Sequence, residues 1–183
     1  GRALCEALKL AGIPHEYTVA VNLEKFAEAL AWRDGSRLFN AALKHNAYPV
    51  VHLSMHGDGE GVSLTDGTSL QWWQLQRILH PINESIHHGL MVTFSTCRGA
   101  SAMRMSMHLD DTKPFYATVG SFEEVRWDEA LIAFLVFFHN WFQGCAPDRA
   151  AELMRLATGH SGFEFTAGPA AKASYQQFIY SQR

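Results

Sequence analysis

Apolar, β-branched runs alternating with helix-periodic segments predict an α/β fold, with a mainly parallel sheet covered by helices on both faces. Three observations carry that reading. Residues 49–55 and 90–96 are hydrophobic strand-like runs. The interval between them holds a helix-length apolar pattern, the crossover that parallel neighbours require. A chain of 183 residues with 48% hydrophobic content can bury one sizeable core, and no linker divides it. A single domain over residues 1–183 is therefore expected.

The elements follow in order. Residues 2–10 read as a helix ended by Gly12-Ile13-Pro14, and residues 15–21 as a strand rich in β-branched and aromatic side chains. A helix over 23–32 has Asn22 before it and Asp34-Gly35 after it, and another over 36–45 leads into the strand at 49–55. A glycine-rich loop at 57–61, a short apolar piece at 62–64 and the turn Thr65-Asp66-Gly67 precede a helix over 69–80. Leu70, Trp73, Leu75, Ile78 and Leu79 recur on one face of it, and Pro81 is expected to stop or bend it. Trp72 and Trp73 divide between packing on the sheet and covering an edge. Beyond the strand at 90–96, a small-residue and methionine stretch at 100–107 predicts a helix against the sheet. Residues 114–119 predict a strand ended by Gly120-Ser121. Asp128 reads as the N-cap of a helix to Phe142 that is apolar on nearly every face and so belongs in the interior. A helix over 147–157, a short strand at 163–166 and a helical tail over 170–180 complete the chain.

Composition narrows the function classes. A formal charge of −3, a pI near 6.4 and scattered lysines and arginines give no basic footprint for nucleic acid. The longest apolar run, 130–138, is too short to span a bilayer, and no secretory signal opens the chain. Cys5, Cys97 and Cys145 are too few and too far apart for a disulfide framework, so a reducing, cytoplasmic setting is expected. The start at Gly1, immediately before a helical pattern, points to sequence upstream.

The chemistry concentrates on His56 and Cys97. Each stands just past a strand-like run, His56 within Met55-His56-Gly57 and Cys97 within Ser95-Thr96-Cys97-Arg98-Gly99. Neighbouring parallel strands lie about 5 Å apart, so residues past their C-terminal ends converge. A thiol then meets a base, the pairing of a cysteine hydrolase: thiolate attacks well near neutral pH, and imidazole accepts and returns a proton there. Cys5 and Cys145 follow no strand and are read as core residues.

A hydrophobic strand ending in His-Gly, followed by one ending in a small residue and Cys, resembles the caspase-like superfamily of cysteine proteases, which includes caspases, metacaspases and bacterial CHAT domains. Residues 61–67, Gly-Val-Ser-Leu-Thr-Asp-Gly, are similar to the connection these proteins carry after the histidine, and the order of elements matches over residues 15–143. The resemblance implies a caspase-like three-layer sandwich and peptide-bond hydrolysis of a protein or peptide substrate through an acyl-enzyme, without metal or cofactor. By position, Cys97 would be the nucleophile, His56 the general acid and base, and the backbone N–H groups of Gly57 and Cys97 the oxyanion donors. It also implies a first core strand before Arg2, hence upstream of Gly1, where a regulatory domain or partner could lie. Members that cleave after basic residues commonly carry an aspartate where this chain has Ser95. A neutral or apolar residue before the scissile bond is therefore expected, unless Asp58, Glu60 or Asp66 restores a carboxylate. Arg98, beside the nucleophile, is a candidate holder of a substrate carboxylate or a surface ion-pair residue.

Two other classes fit the same sequence: a catalytically idle member of this fold acting as a binding or scaffold module, and a small-molecule-binding α/β domain using the glycine loop. Asp58 and Glu60 read as solvated loop carboxylates, and His87-His88 as loop residues. Competing motifs fail. His52-Leu53-Ser54-Met55-His56 has the histidine spacing of a zinc protease helix but Leu53 where glutamate is required. Gly57-Asp58-Gly59-Glu60-Gly61-Val62 lacks the third glycine of a dinucleotide loop and carries two carboxylates that would repel phosphate. Gly99-Ala100-Ser101-Ala102-Met103 lacks the closing glycine of a serine-hydrolase elbow, and no Walker lysine motif occurs.

Overall fold

In the computed structural model, which describes residues 1–182, the chain forms an α/β structure around a four-stranded mixed sheet. Its strands are β1 (Val50–Ser54), β5 (Met91–Ser95), β6 (Ala117–Ser121) and β7 (Phe163–Ala167), in that spatial order. β1, β5 and β6 are parallel, and β7 joins β6 antiparallel. Between β1 and β5 the chain first makes a small antiparallel sheet from β2 (His56–Gly57), β3 (Gly61–Ser63) and β4 (Ser69–Gln71). The crossover helix α4 (Trp72–Ser85) then returns it to the main sheet.

Strand alternation sends successive side chains to opposite faces, and each face is covered. Val51, Leu53, Val92 and Phe94 point to a core shared with Leu75, Leu79 and Ile82 of α4 and with Met105 of the 3-10 helix Gly99–Ser106. Met91, Ala117 and Val119 point the other way, to a core built with α1 (Arg2–Leu10), α5 (Trp127–Phe142) and α6 (Pro147–Thr158). Such layering is compatible with a three-layer sandwich. The short helices α2 (Leu23–Ala29) and α3 (Arg37–His45) lie before β1, and α7 (Gly168–Ser181) follows β7. Among the described residues, no helix is long and apolar enough to cross a membrane.

Several expectations are corrected. Residues 15–21 form no strand; with no neighbouring strand to pair with, their β-branched side chains cannot define one, and Tyr17, Val19 and Val21 remain exposed. Pro81 neither stops nor ends α4, because Ile82 and Asn83 beyond it are fully buried, and this packing outweighs the lost backbone hydrogen bond. Gly120 lies inside β6 rather than ending it. A side chain there would come within 2.6 Å of the Gly99 carbonyl carbon, so this glycine marks close approach of two backbones, not a turn. The helix expected at 100–107 is a 3-10 helix, and Ser69–Gln71 is a strand rather than the first turn of α4. α5 is capped by Glu129, whose carboxylate accepts the Arg126 N–H at 3.2 Å, while Asp128 pairs with the Arg126 guanidinium at 2.7 Å. Nor is α5 buried all round, since Trp127, Ile132 and Phe142 are exposed.

Asn83 ties the crossover to the sheet. Fully buried, it donates from Nδ2 to the Lys113 carbonyl at 2.8 Å ahead of β6, and its Oδ1 accepts the Leu90 N–H at 2.9 Å at the start of β5. Asn83→Ala leaves the buried Leu90 N–H without a partner, which costs about 1–3 kcal/mol. Urea denaturation should show a lower midpoint with an unchanged slope.

Candidate active site

The register of the β1–β5 pair brings the two predicted side chains to one edge. Ser54 lies opposite Ser95 at the C-terminal ends of the strands, and His56 and Cys97 each stand two residues beyond that pair. Gly57 lies directly against the Cys97 turn: a Cβ on it would meet Thr96 Oγ1 at 2.9 Å and the Cys97 carbonyl oxygen at 3.1 Å. Only glycine permits this approach. The turn after Cys97 is tight, with Arg98 in the left-handed region (φ 54°, ψ 25°) and the Gly99 N–H bonded to the Thr96 carbonyl at 3.3 Å. A non-glycine residue held in that region stores strain, a feature that concentrates at functional sites.

A third segment, not singled out by sequence reasoning, completes the arrangement. The loop between β6 and α5, with the first residue of α5, touches both residues. The Cys97 thiol donates to the Val125 carbonyl at 3.7 Å, and the Trp127 ring stands edge-on to the His56 imidazole with centroids 5.5 Å apart. The Glu123 carbonyl accepts the Arg98 N–H at 3.0 Å, fixing the Cys97 turn to the same loop. No hydrogen bond joins Cys97 Sγ to the His56 ring, and His56 is exposed with no hydrogen-bonding carboxylate among the described residues.

Two backbone donors are left without a strand partner here. Because the Asp58 N–H bonds to the Gly61 carbonyl, alternation along the antiparallel ladder makes His56 and Ser63 the next hydrogen-bonded pair, turning the Gly57 N–H away from β3. Among the described residues the Cys97 N–H makes no hydrogen bond. By contrast, the loop after β2 is occupied with itself: Asp58 Oδ1 accepts the N–H groups of Glu60 (2.7 Å) and Gly61 (3.0 Å), and Glu60 pairs with Arg104 at 2.7 Å. Asp58 and Glu60 are therefore engaged rather than merely solvated, and these loop amides are not free to cradle a phosphate.

Ser95 is buried, and Arg98 is exposed with no salt bridge to any described residue. Cys5, Cys97 and Cys145 are free thiols; burial pushes the Cys5 thiol upward, and Cys145 packs on the α5–α6 core. Trp72 packs on Phe94, and Trp73 is exposed. Among the described residues, no three metal-ligating side chains come together. Val125 and Trp127 had no local signal, since they lie far along the chain, and His52 carries only the histidine spacing of the zinc motif that fails at Leu53. In the structure His52 lines a cavity of about 30 Å³ together with Ser54, Ser95, Trp127 and Phe134. Its Nδ1 lies 2.8 Å from Thr93 Oγ1, and Phe134 and Phe138 pack on its ring.

No protein-family model matches the chain, and comparison with curated proteins finds no match.

Burial lowers the pKa of His52 to about 3, so it is neutral in the folded protein at physiological pH. The unfolded chain takes up a proton near pH 6.5, whereas the folded one does so only near its depressed value. Stability is therefore complete above about pH 6.5 and falls as pH drops toward the folded pKa. Between pH 6.5 and 5 the loss is up to about 2 kcal/mol. Chemical denaturation across this range should show a flatter profile for His52→Gln.

Proposed function

We propose that this chain is a caspase-like cysteine peptidase domain in which Cys97 is the nucleophile and His56 the general acid and base. The observation that carries the reading is the parallel register ending at Ser54 and Ser95, which leaves imidazole and thiol on adjacent chain ends. In this reading His56 withdraws the Cys97 proton, and the thiolate attacks the scissile carbonyl carbon. The Gly57 and Cys97 N–H groups stabilise the resulting oxyanion. Collapse of the tetrahedral intermediate expels the amine, protonated by His56, and leaves an acyl-enzyme. Water, deprotonated by the same imidazole, then releases the acid and restores the thiol. The thiol must first leave the Val125 carbonyl, so the arrangement is a resting one that substrate binding realigns.

That same contact favours a second reading, a catalytically idle module of this fold: the thiol rests against a carbonyl and is not paired with the imidazole. The two separate on the reactivity of Cys97. In a working dyad, Cys97 is alkylated by iodoacetamide at neutral pH much faster than Cys5 or Cys145, and His56→Ala slows it. In an idle module the three thiols react alike and His56→Ala changes nothing.

Cys97→Ala and His56→Ala should each lower kcat/KM on a cleaved peptide by about a thousandfold or more, with circular dichroism unchanged. The double variant should be no worse than the weaker single, since the two act as one unit. Additive losses, or full activity in Cys97→Ala, would rule the dyad out.

A further inference from the structure

The C-terminal end of β6 stands at the same edge as Cys97, because β6 pairs parallel with β5. Its last residue, Ser121, is fully buried and lies opposite Phe163, the first residue of β7. The Ser121 hydroxyl accepts the Glu123 N–H at 3.0 Å and lies 3.0 Å from Nε2 of His160, in the turn between α6 and β7. Its own proton goes to that nitrogen, which accepts when the imidazole carries its proton on Nδ1. The reverse direction would leave a buried O–H without an acceptor among the described residues. The Glu123 carboxylate, the charged group facing the ring, is 3.8 Å from the same nitrogen, beyond hydrogen-bond length. His160 is held in turn: its backbone N–H donates to Thr158 Oγ1 at 3.2 Å, and its ring meets the Phe163 ring edge-on with centroids 5.1 Å apart.

The connection to Cys97 runs through one residue. Glu123 has its N–H on Ser121 and its carbonyl on the Arg98 N–H, at 3.0 Å in each case, so it joins the buried hydroxyl to the turn that follows Cys97. Two residues further on, the Val125 carbonyl receives the thiol. The Phe122 N–H ties the same loop to the α6–β7 turn separately, at the Gly162 carbonyl (2.9 Å). Arg98 holds φ 54°, a conformation that costs energy in a non-glycine residue and persists only where the surroundings impose it. Its bond to Glu123 is one such constraint.

We propose that Ser121 and His160 are a positioning pair for the reaction assigned to Cys97 and His56, a reading on which this role rests: through Glu123 they hold the Cys97 turn in its working shape. Neither makes or breaks a bond. Without the hydroxyl, or without the nitrogen that takes its proton, Glu123 loses its anchor and the Arg98 N–H loses a fixed acceptor. The Cys97 N–H, one of the two oxyanion donors, then shifts with the turn. Oxyanion contacts strengthen in the transition state, so the loss falls on kcat and spares KM.

The test compares Ser121→Ala, His160→Leu and His160→Gln in the full chain. Leucine keeps an apolar contact with Phe163 and removes the acceptor, whereas glutamine restores an acceptor of similar reach. Amide exchange at Arg98, followed by NMR, should speed up about tenfold in Ser121→Ala and His160→Leu and return to within about threefold of the parent in His160→Gln. On a cleaved peptide the first two should lower kcat about tenfold with KM within about twofold, and His160→Gln should recover most of that loss. A pair that only stabilises the α6–β7 turn would speed exchange at Phe122 and leave Arg98 and kcat as they were. That result overturns the proposal, as does His160→Gln behaving like His160→Leu. Absence of any cleavage, with Cys97 alkylated no faster than Cys5, overturns the peptidase reading instead; Arg98 exchange then still decides whether the pair holds the Cys97 turn.

Discussion

Everything at the candidate site depends on the in-register parallel pairing of β1 with β5. Because Ser54 is opposite Ser95, the strands end together, and the residues just beyond them are neighbours by construction. A slip of one residue would exchange the faces of the strand, turning Leu53 toward α5 and His52 into the core beneath α4. Both faces are covered by helices, so such a slip would bury polar groups and expose apolar ones on each side. The register is thereby fixed by two cores at once. Asn83 adds a local clamp, holding the start of β5 at Leu90 from inside the crossover helix.

This dependence explains what was legible in the sequence. The strands bearing the site are apolar, short and followed by glycine, and the crossover has a helix-length pattern, so His56 and Cys97 stand out by position and residue type together. Residues 15–21 carry equally strong β-branched content and form no strand, because pairing requires an available edge and periodicity carries no record of one. Gly120 misled in the opposite direction. Its role as the contact point for Gly99 is set by a residue far away in the chain, whereas sequence alone offers the commoner meaning of glycine, a turn. Pro81 did the same, since the burial of Ile82 and Asn83 that sustains the helix past it is a tertiary fact.

The segment from Val125 to Trp127 was invisible for a similar reason. Nothing in Glu124-Val125-Arg126-Trp127 resembles a motif, and its meaning arises only because β6 sits beside β5 and so delivers the start of α5 to the edge where His56 and Cys97 stand. The helix start there is well secured. Glu129 caps it, Asp128 holds the Arg126 side chain, and both carboxylates suit the positive end of the helix dipole. A firmly built helix start gives the Val125 carbonyl a fixed position, which in turn fixes where the Cys97 thiol points.

Trp127 is the aromatic contact that orients the His56 ring. It is 55% exposed, so it is held less by burial than by two contacts, the His56 ring and the cavity wall. An edge-to-face aromatic pair contributes about 0.5–1.5 kcal/mol, enough to bias the orientation of an otherwise unrestrained imidazole but not to lock it.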